Sequence, residues 1–286
     1  MKKIRIPMQY DPDTWFDEKL EQDSYNEIFI QNIIRNSIRS VYATKEIVSG
    51  KQLEIEIYPE FYKGQKDCPV KRKVNKDVQD NLNDKNARKQ VNRIIECNFT
   101  LNDIWATFTY YEDKRPKDMG QALKNMQNFI RRVNYHRKKL GLPKCRYLYI
   151  TEYVPEAAIP WHHHFIMDGD MDRNIVEALW KLGDRTETKR LVPDESGLLG
   201  MSNYITKHRE KSQKRWNSST GLIKPKVKVN HYKFKRKKID EMVINQNIIK
   251  VLMESTYKNY RYVEAEVFHN KFNGYWYIYT RMRRRE

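Results

Sequence analysis

The run PWHHHFIM at 160–167 holds three of the chain's seven histidines. Imidazole can ligate a metal, carry a proton or simply pack, so the question is which of the three share a face. The run reads as a strand, in which alternate side chains point the same way. His162, His164 and Ile166 then face one side, and Trp161, His163, Phe165 and Met167 the other. Two imidazoles on one face, two residues apart, can reach one ion. RYLYITEY (146–153) reads as the preceding strand, and it places Glu152 on a face with Leu148 and Ile150. If the two strands are antiparallel neighbours, Glu152 comes beside the histidines. Two His and one carboxylate leave coordination positions open, as a catalytic metal requires. Nitrogen and oxygen donors without thiolate suit Mn²⁺ or Mg²⁺ at a phosphate, and also admit Zn²⁺. The same pattern is open to a blander reading, in which clustered histidines only decorate the surface.

A second cluster is SNYITK, where Tyr204 and Lys207 stand three apart on one turn of an expected helix, 196–211. A tyrosine can attack an activated electrophile while a lysine offsets the developing charge. With 19 tyrosines in the chain such a pair also arises by chance.

The elements that must position these groups read as follows. DIWATFTYY (103–111) is expected as a strand, and 118–141 as a helix whose stripe is Met119, Ala122, Leu123, Met126, Phe129, Ile130 and Val133, stopped at Gly141. Arg131, Arg132, Arg137, Lys138 and Lys139 lie off that stripe or beyond its end. A helix is expected over 172–183, with Asp172 at its start, and a strand over 185–192. Upstream, 24–42 has helical spacing, 51–62 alternates as a strand up to Pro59, and 77–99 reads as a helix. The C-terminus reads as two strands around Asn273-Gly274. The fold class is therefore α+β, a central antiparallel β-sheet flanked by helices. The expected division is an N-terminal extension over 1–75, with 64–76 as connector, and a domain over 76–286.

The 286 residues carry 55 Lys+Arg against 37 Asp+Glu, a net charge of +18, which favours a polyanionic partner, nucleic acid first. Thirteen of the cations fall between Lys207 and Lys238, with Glu210 the only acid among them. Lys211, Lys214, Arg215, Trp216, Lys224 and Lys226 are the candidate nucleic-acid contacts, cations for phosphates and an aromatic for a base. The competing reading of this stretch is a solvated charged loop. No apolar run is long enough to span a membrane, the N-terminus lacks a signal-peptide core, and three scattered cysteines form no framework. These features lead us to expect a reducing cytoplasm and no membrane partner. No GxxxxGK[ST] occurs, so no ATP-driven helicase activity is expected of this chain.

HHHFIM followed by YITK resembles the HUH endonucleases, the superfamily of rolling-circle replication initiators, relaxases and some transposases. The resemblance is closest to the replication-associated proteins of bacterial plasmids, phages and related mobile elements. LNDKNARKQVNRIIECNF, IWATFTYYED, NFIRRVNYHRKKLGLP, ESGLLGMSNYITK, KRWNSSTGLIKPKV and GYWYIYTRMRR carry it across roughly residues 50–286. It implies an RRM/palm-like core with the two His on a middle strand, and the metal pair on His162 and His164 with Glu152 as the acidic third ligand. It also implies Tyr204 as nucleophile, Lys207 as its companion, and WATFTY (105–110) as the first strand motif. The implied activity is metal-dependent nicking and joining of single-stranded DNA at an origin hairpin through a 5′-phosphotyrosine, with host helicase and polymerase as partners. Two departures stand out. The middle letter of HUH is normally hydrophobic and here is His163, which leaves the register open, although the FIM run favours 162/164. No second Tyr lies four residues from Tyr204, which implies a single-tyrosine enzyme. A relaxase or transposase, and a non-catalytic nucleic-acid-binding protein, are the other classes the sequence admits.

Overall fold

A computed structural model describes residues 3–4, 38–63, 76–154, 158–183, 186–193, 197–198, 216–270 and 274–285. Its strands are all paired antiparallel and lie in two sheets, with helices packed on them, so the chain is α+β. Two compact units result, one of residues 1–86 with 225–286, the other of 87–224. The expected boundary at residue 75 divides the chain in sequence. In space the N- and C-terminal segments share a unit, because strands far apart in sequence pair there.

The first unit holds β1 (Lys3–Ile4), β2 (Ile38–Ser49), β3 (Gln52–Lys63), β9 (Lys226–Asn230), β10 (Tyr260–His269) and β11 (Trp276–Arg284), in the order β10-β11-β3-β2-β9 with β1 beside β3. β2 and β3 form a hairpin through Gly50–Lys51, where Gly50 takes φ 57°. That hairpin corrects the helix expected over 24–42, since residues 38–42 are strand and those before lie outside the described residues. β3 also runs past Pro59 to Lys63. β11 pairs with β3 only over 52–57, so the missing N–H of Pro59 removes no bond on that side. Leu53, Ile55, Ile57, Ile278 and Met282 face a core with Ile239, Met242, Ile249 and Met253. The last four belong to two helices, Arg236–Ile244 and Asn247–Thr256, that the sequence reading did not assign. The first begins inside the basic run, whose charge masks the buried Ile239 and Met242.

The second unit contains the other sheet, ordered β7-β4-β6-β5-β8: β4 (Ile104–Phe108), β5 (Tyr147–Val154), β6 (Ile159–Met167), β7 (Glu187–Arg190) and β8 (Asn217–Ser218). Helix α1 (Lys76–Asn98) from Ala87 onward, α2 (Met119–Lys139) and α3 (Arg173–Leu179) complete it. The Asp118 carboxylate accepts from the Gln121 N–H and caps α2, and Gly141 follows its end at φ 70°. Met126, Phe129, Ile130 and Val133 bury against Phe108, Phe165 and Met167; each such side chain contributes roughly 1.5–3 kcal/mol. Helix α3 stops at Leu179, short of the expected 183. Trp180 leaves the helix to enter this core, and its indole N–H donates to the Thr109 carbonyl at 2.7 Å. On the opposite face of the sheet, Leu148, Ile150 and Ile166 pack with Val91 and Ile95 of α1 and with Leu198.

Arg137, expected beyond the apolar stripe, is fully buried. It donates to Asp168 at 2.5 Å, to Asp170 at 3.2 Å and to the Pro143 carbonyl at 2.7 Å. Asp168 also accepts the Arg146 N–H at 2.8 Å, so the last turn of α2 fastens the exit of β6 to the entry of β5. Among the described residues, no helix is long and apolar enough to cross a membrane.

Candidate metal centre

The site follows from the register of β5 on β6. Glu152 stands directly opposite His162, and Ile150 opposite His164. Glu152, His162 and His164 therefore share a face, and their ligand atoms all lie within 4.8 Å of one another. Glu152 Oε2 is 3.1 Å from His162 Nε2 and 3.6 Å from His164 Nε2. Glu152 and His164 are buried, and the His162 side chain is about one-seventh exposed (14%), so the cluster opens to solvent along His162.

Tautomers follow from the partners. His162 Nδ1 lies 2.9 Å from the Pro160 carbonyl, which can only accept, so Nδ1 carries a proton. In neutral His162, Nε2 then turns a lone pair toward the carboxylate. Two acceptors 3.1 Å apart need a cation, either a second proton on His162 or a metal ion. Glu152 Oε1 is buried and has no hydrogen-bond partner, leaving a second oxygen uncommitted. His164 stacks on Trp105 at 5.3 Å, and its Nδ1 lies 3.4 Å from the Thr107 hydroxyl. The donor set, its backing and the orphaned oxygen all fit a divalent cation.

The electrostatics agree. Burial pushes the Glu152 carboxyl up, but hydrogen bonds from His162 and His164 outweigh it and hold the group down to about 2. Burial pulls His162 down, yet Glu152 and the Pro160 carbonyl raise it above the ordinary imidazole value. Burial dominates at His164, which is lowered. The carboxylate is thus ionised and one imidazole is biased toward the neutral form that a metal needs.

His163 is on the other face, with no exposure. Asn125 donates to the Tyr110 oxygen at 3.4 Å, so the Tyr110 proton goes to His163 Nε2 at 2.6 Å. His163 Nδ1–H then donates to the Thr151 hydroxyl at 2.9 Å. The ring is enclosed by Tyr110, Tyr149 and Trp180, and burial pushes its pKa down to about 3. It is more than a packing residue, since both nitrogens are used to join β6 to β5 and to Tyr110.

Tyr204, Lys207, Lys211, Lys214 and Arg215 lie outside the described residues. The chain on either side of them is described. Leu198 packs with Leu148, Ile150 and Ile166, on the face that carries the cluster, and its N–H donates to Glu96 at 2.5 Å. Trp216 packs on that same group. Lys224 and Lys226 are exposed, and Ile223 is held by a two-way hydrogen bond with the Asn98 amide. Sequence reasoning missed the Pro160 carbonyl, Trp105 and Tyr110 as partners of the histidines. The motif WATFTY was the available signal for the last two.

Residues 103–213 match the model of a family of replication-associated proteins of the ORF2 type, which is consistent with a rolling-circle replication initiator. No curated protein and no solved structure matches the chain. The matched segment contains β4, the whole cluster and Tyr204, and is shorter than the resemblance over 50–286.

Proposed function

Taking 103–213 as a replication-associated segment, we propose that the protein initiates rolling-circle DNA replication by nicking and rejoining single-stranded DNA at an origin. The observation that carries this reading is the carboxylate of Glu152 facing the Nε2 atoms of His162 and His164, with a second oxygen uncommitted. Glu152, His162 and His164 would hold Mn²⁺ or Mg²⁺, which at a phosphate supplies Lewis acidity and a template.

The protein's own groups do the rest. Pro160 and Trp105 hold the imidazoles in place. Tyr204 is the nucleophile. Its phenolic oxygen bonds to phosphorus, the bond from phosphorus to the 3′ oxygen breaks, and the phenolic proton is passed on so that a 3′-OH leaves. One phosphodiester is exchanged for one phosphotyrosine, so rejoining needs no ATP. Lys207 offsets charge on the phosphoryl oxygens. Leu198 and Trp216 support this assignment, because both neighbours of the Tyr204 segment pack on the face that carries the cluster. The basic residues Lys211, Lys214, Arg215, Lys224 and Lys226 meet DNA phosphates, and Trp216 offers a base a stacking surface. A basic chain of +18 suits that substrate.

The test uses labelled single-stranded origin DNA, Mn²⁺ with and without EDTA, and a denaturing gel. Metal-dependent cleavage with a covalent adduct is expected. Tyr204→Phe should lose the adduct and keep DNA binding. A band shift without cleavage would instead identify a non-catalytic binder.

A further inference from the structure

Beside the cluster, at the open end of β5 and β6, lies a cavity of about 380 Å³. It is separate from the ligand atoms but shares their strands. Tyr153 follows Glu152 and Trp161 precedes His162, and their rings stack at 4.4 Å and 5° to form one wall. Pro116 and Pro160 add apolar surface, and Arg115 and Lys117 stand exposed at the rim. None of the residues that line it is acidic.

Each part of this lining has a counterpart in one ligand chemistry. Flat aromatic and proline surfaces accept a nucleobase without reading its edges, and such stacking is sequence-tolerant. Two cations at the mouth match the phosphates on either side of that base. The volume lies at the low end of small-ligand pockets, the size of one unstacked nucleotide rather than a duplex. Position supplies the last argument. Pro160 is both a wall of the cavity and the residue whose carbonyl orients His162. A strand with a phosphate at the cluster has its neighbouring nucleotide at this cavity.

The geometry points to a nucleotide subsite in which one base of single-stranded DNA unstacks onto the Tyr153–Trp161 wall while Arg115 and Lys117 hold its flanking phosphates. This rests on the reading of the cluster as a DNA site. The subsite sets where along the strand the phosphate stops, and it selects for unpaired DNA, since a base within a duplex is not free to enter.

The test uses the full chain and a single-stranded oligonucleotide carrying 5-iododeoxyuridine, photocrosslinked and mapped by peptide mass spectrometry. Crosslinks at Tyr153 or Trp161 are expected. Crosslinks confined to other peptides would overturn the subsite. Independently, the double variant Arg115→Ala/Lys117→Ala should reduce the slope of log K against log salt by about 1.4, two single-strand phosphate contacts at ~0.7 each. An unchanged slope would remove both cations from the interface. The nicking assay run alongside separates the two ideas. An adduct without a crosslink in this wall defeats the subsite alone. A crosslink there without any adduct keeps the subsite and defeats the nicking. No binding of the oligonucleotide at all defeats both.

Discussion

In the sheet built from β2, β3, β9, β10 and β11, acidic side chains meet groups that bring their own protons. Lys45 reaches Glu56 at 2.8 Å, His231 reaches Glu60 at 2.7 Å, Gln52 donates to Glu54 at 2.8 Å, and Tyr257 and Lys233 both approach Glu46. In the sheet of β4 to β8, Glu152 meets two imidazoles, one of which has its available proton committed to Pro160, and keeps one oxygen without a partner. Both sheets bury carboxylates; Glu54 and Glu56 are more buried than Glu152. The contrast teaches that burial of an acid does not make a site. What distinguishes a site is an acid set against lone pairs, an arrangement that is unfavourable until a cation joins it.

The sharpest way to break this comparison is to exchange the acids. Glu152→Ala should abolish Mn²⁺ binding in titration calorimetry and lower cleavage by roughly two to three decades, for an interaction worth ~3–4 kcal/mol at the transition state. Glu56→Ala should leave Mn²⁺ binding intact. A loss of metal from the second variant would put the ion in the wrong sheet.

A second contrast concerns fastening. Arg137→Met leaves the buried Asp168 short of its main cation and should cost about 3–5 kcal/mol in a urea titration. Lys238→Ala removes the exposed pair with Glu241 and should change stability by less than ~0.5 kcal/mol. Equal losses would mean that the buried pair is not the clasp of the strand ends.

The smallest expected effect is at His163. Its pKa in the fold is about 3 against 6.5 for an ordinary imidazole, so between those values the unfolded chain takes up a proton that the fold refuses. The stability that follows is complete above pH ~6.5 and is lost as pH falls toward ~3. His163→Leu should remove that slope from a plot of Tm against pH. It should also lower stability near neutrality by about 1–3 kcal/mol, because the Tyr110 and Thr151 hydroxyls lose their partner. An unaltered slope would place the titration elsewhere.

How much of this was legible in the sequence depends on the distance over which each signal acts. Period-two alternation is local, and it divided the three histidines into the pair on one face and His163 on the other. It also put Glu152 on the face that its strand partner requires. The stripe of α2 and its cap at Asp118 were equally local. The pairing of β3 with β11 was not, because nothing in either segment names a partner more than 200 residues away. Arg137 and Trp180 escaped for a related reason. A charged residue in a last helical turn is normally solvated, and only the approach of Asp168 from another strand explains its burial. The two helices over 236–256 were hidden by lysines that read as a loop. Within the cluster, the Pro160 carbonyl was beyond reach altogether, since a backbone oxygen carries no residue-type signal.

Pro160 has one further consequence. A residue that orients a metal ligand with its carbonyl and lines a nucleotide cavity with its ring makes the two occupancies thermodynamically linked. Any displacement that a seated base imposes on the ring is handed to His162. The coupling must then be reciprocal, with DNA altering the affinity for metal by the same factor as metal alters the affinity for DNA.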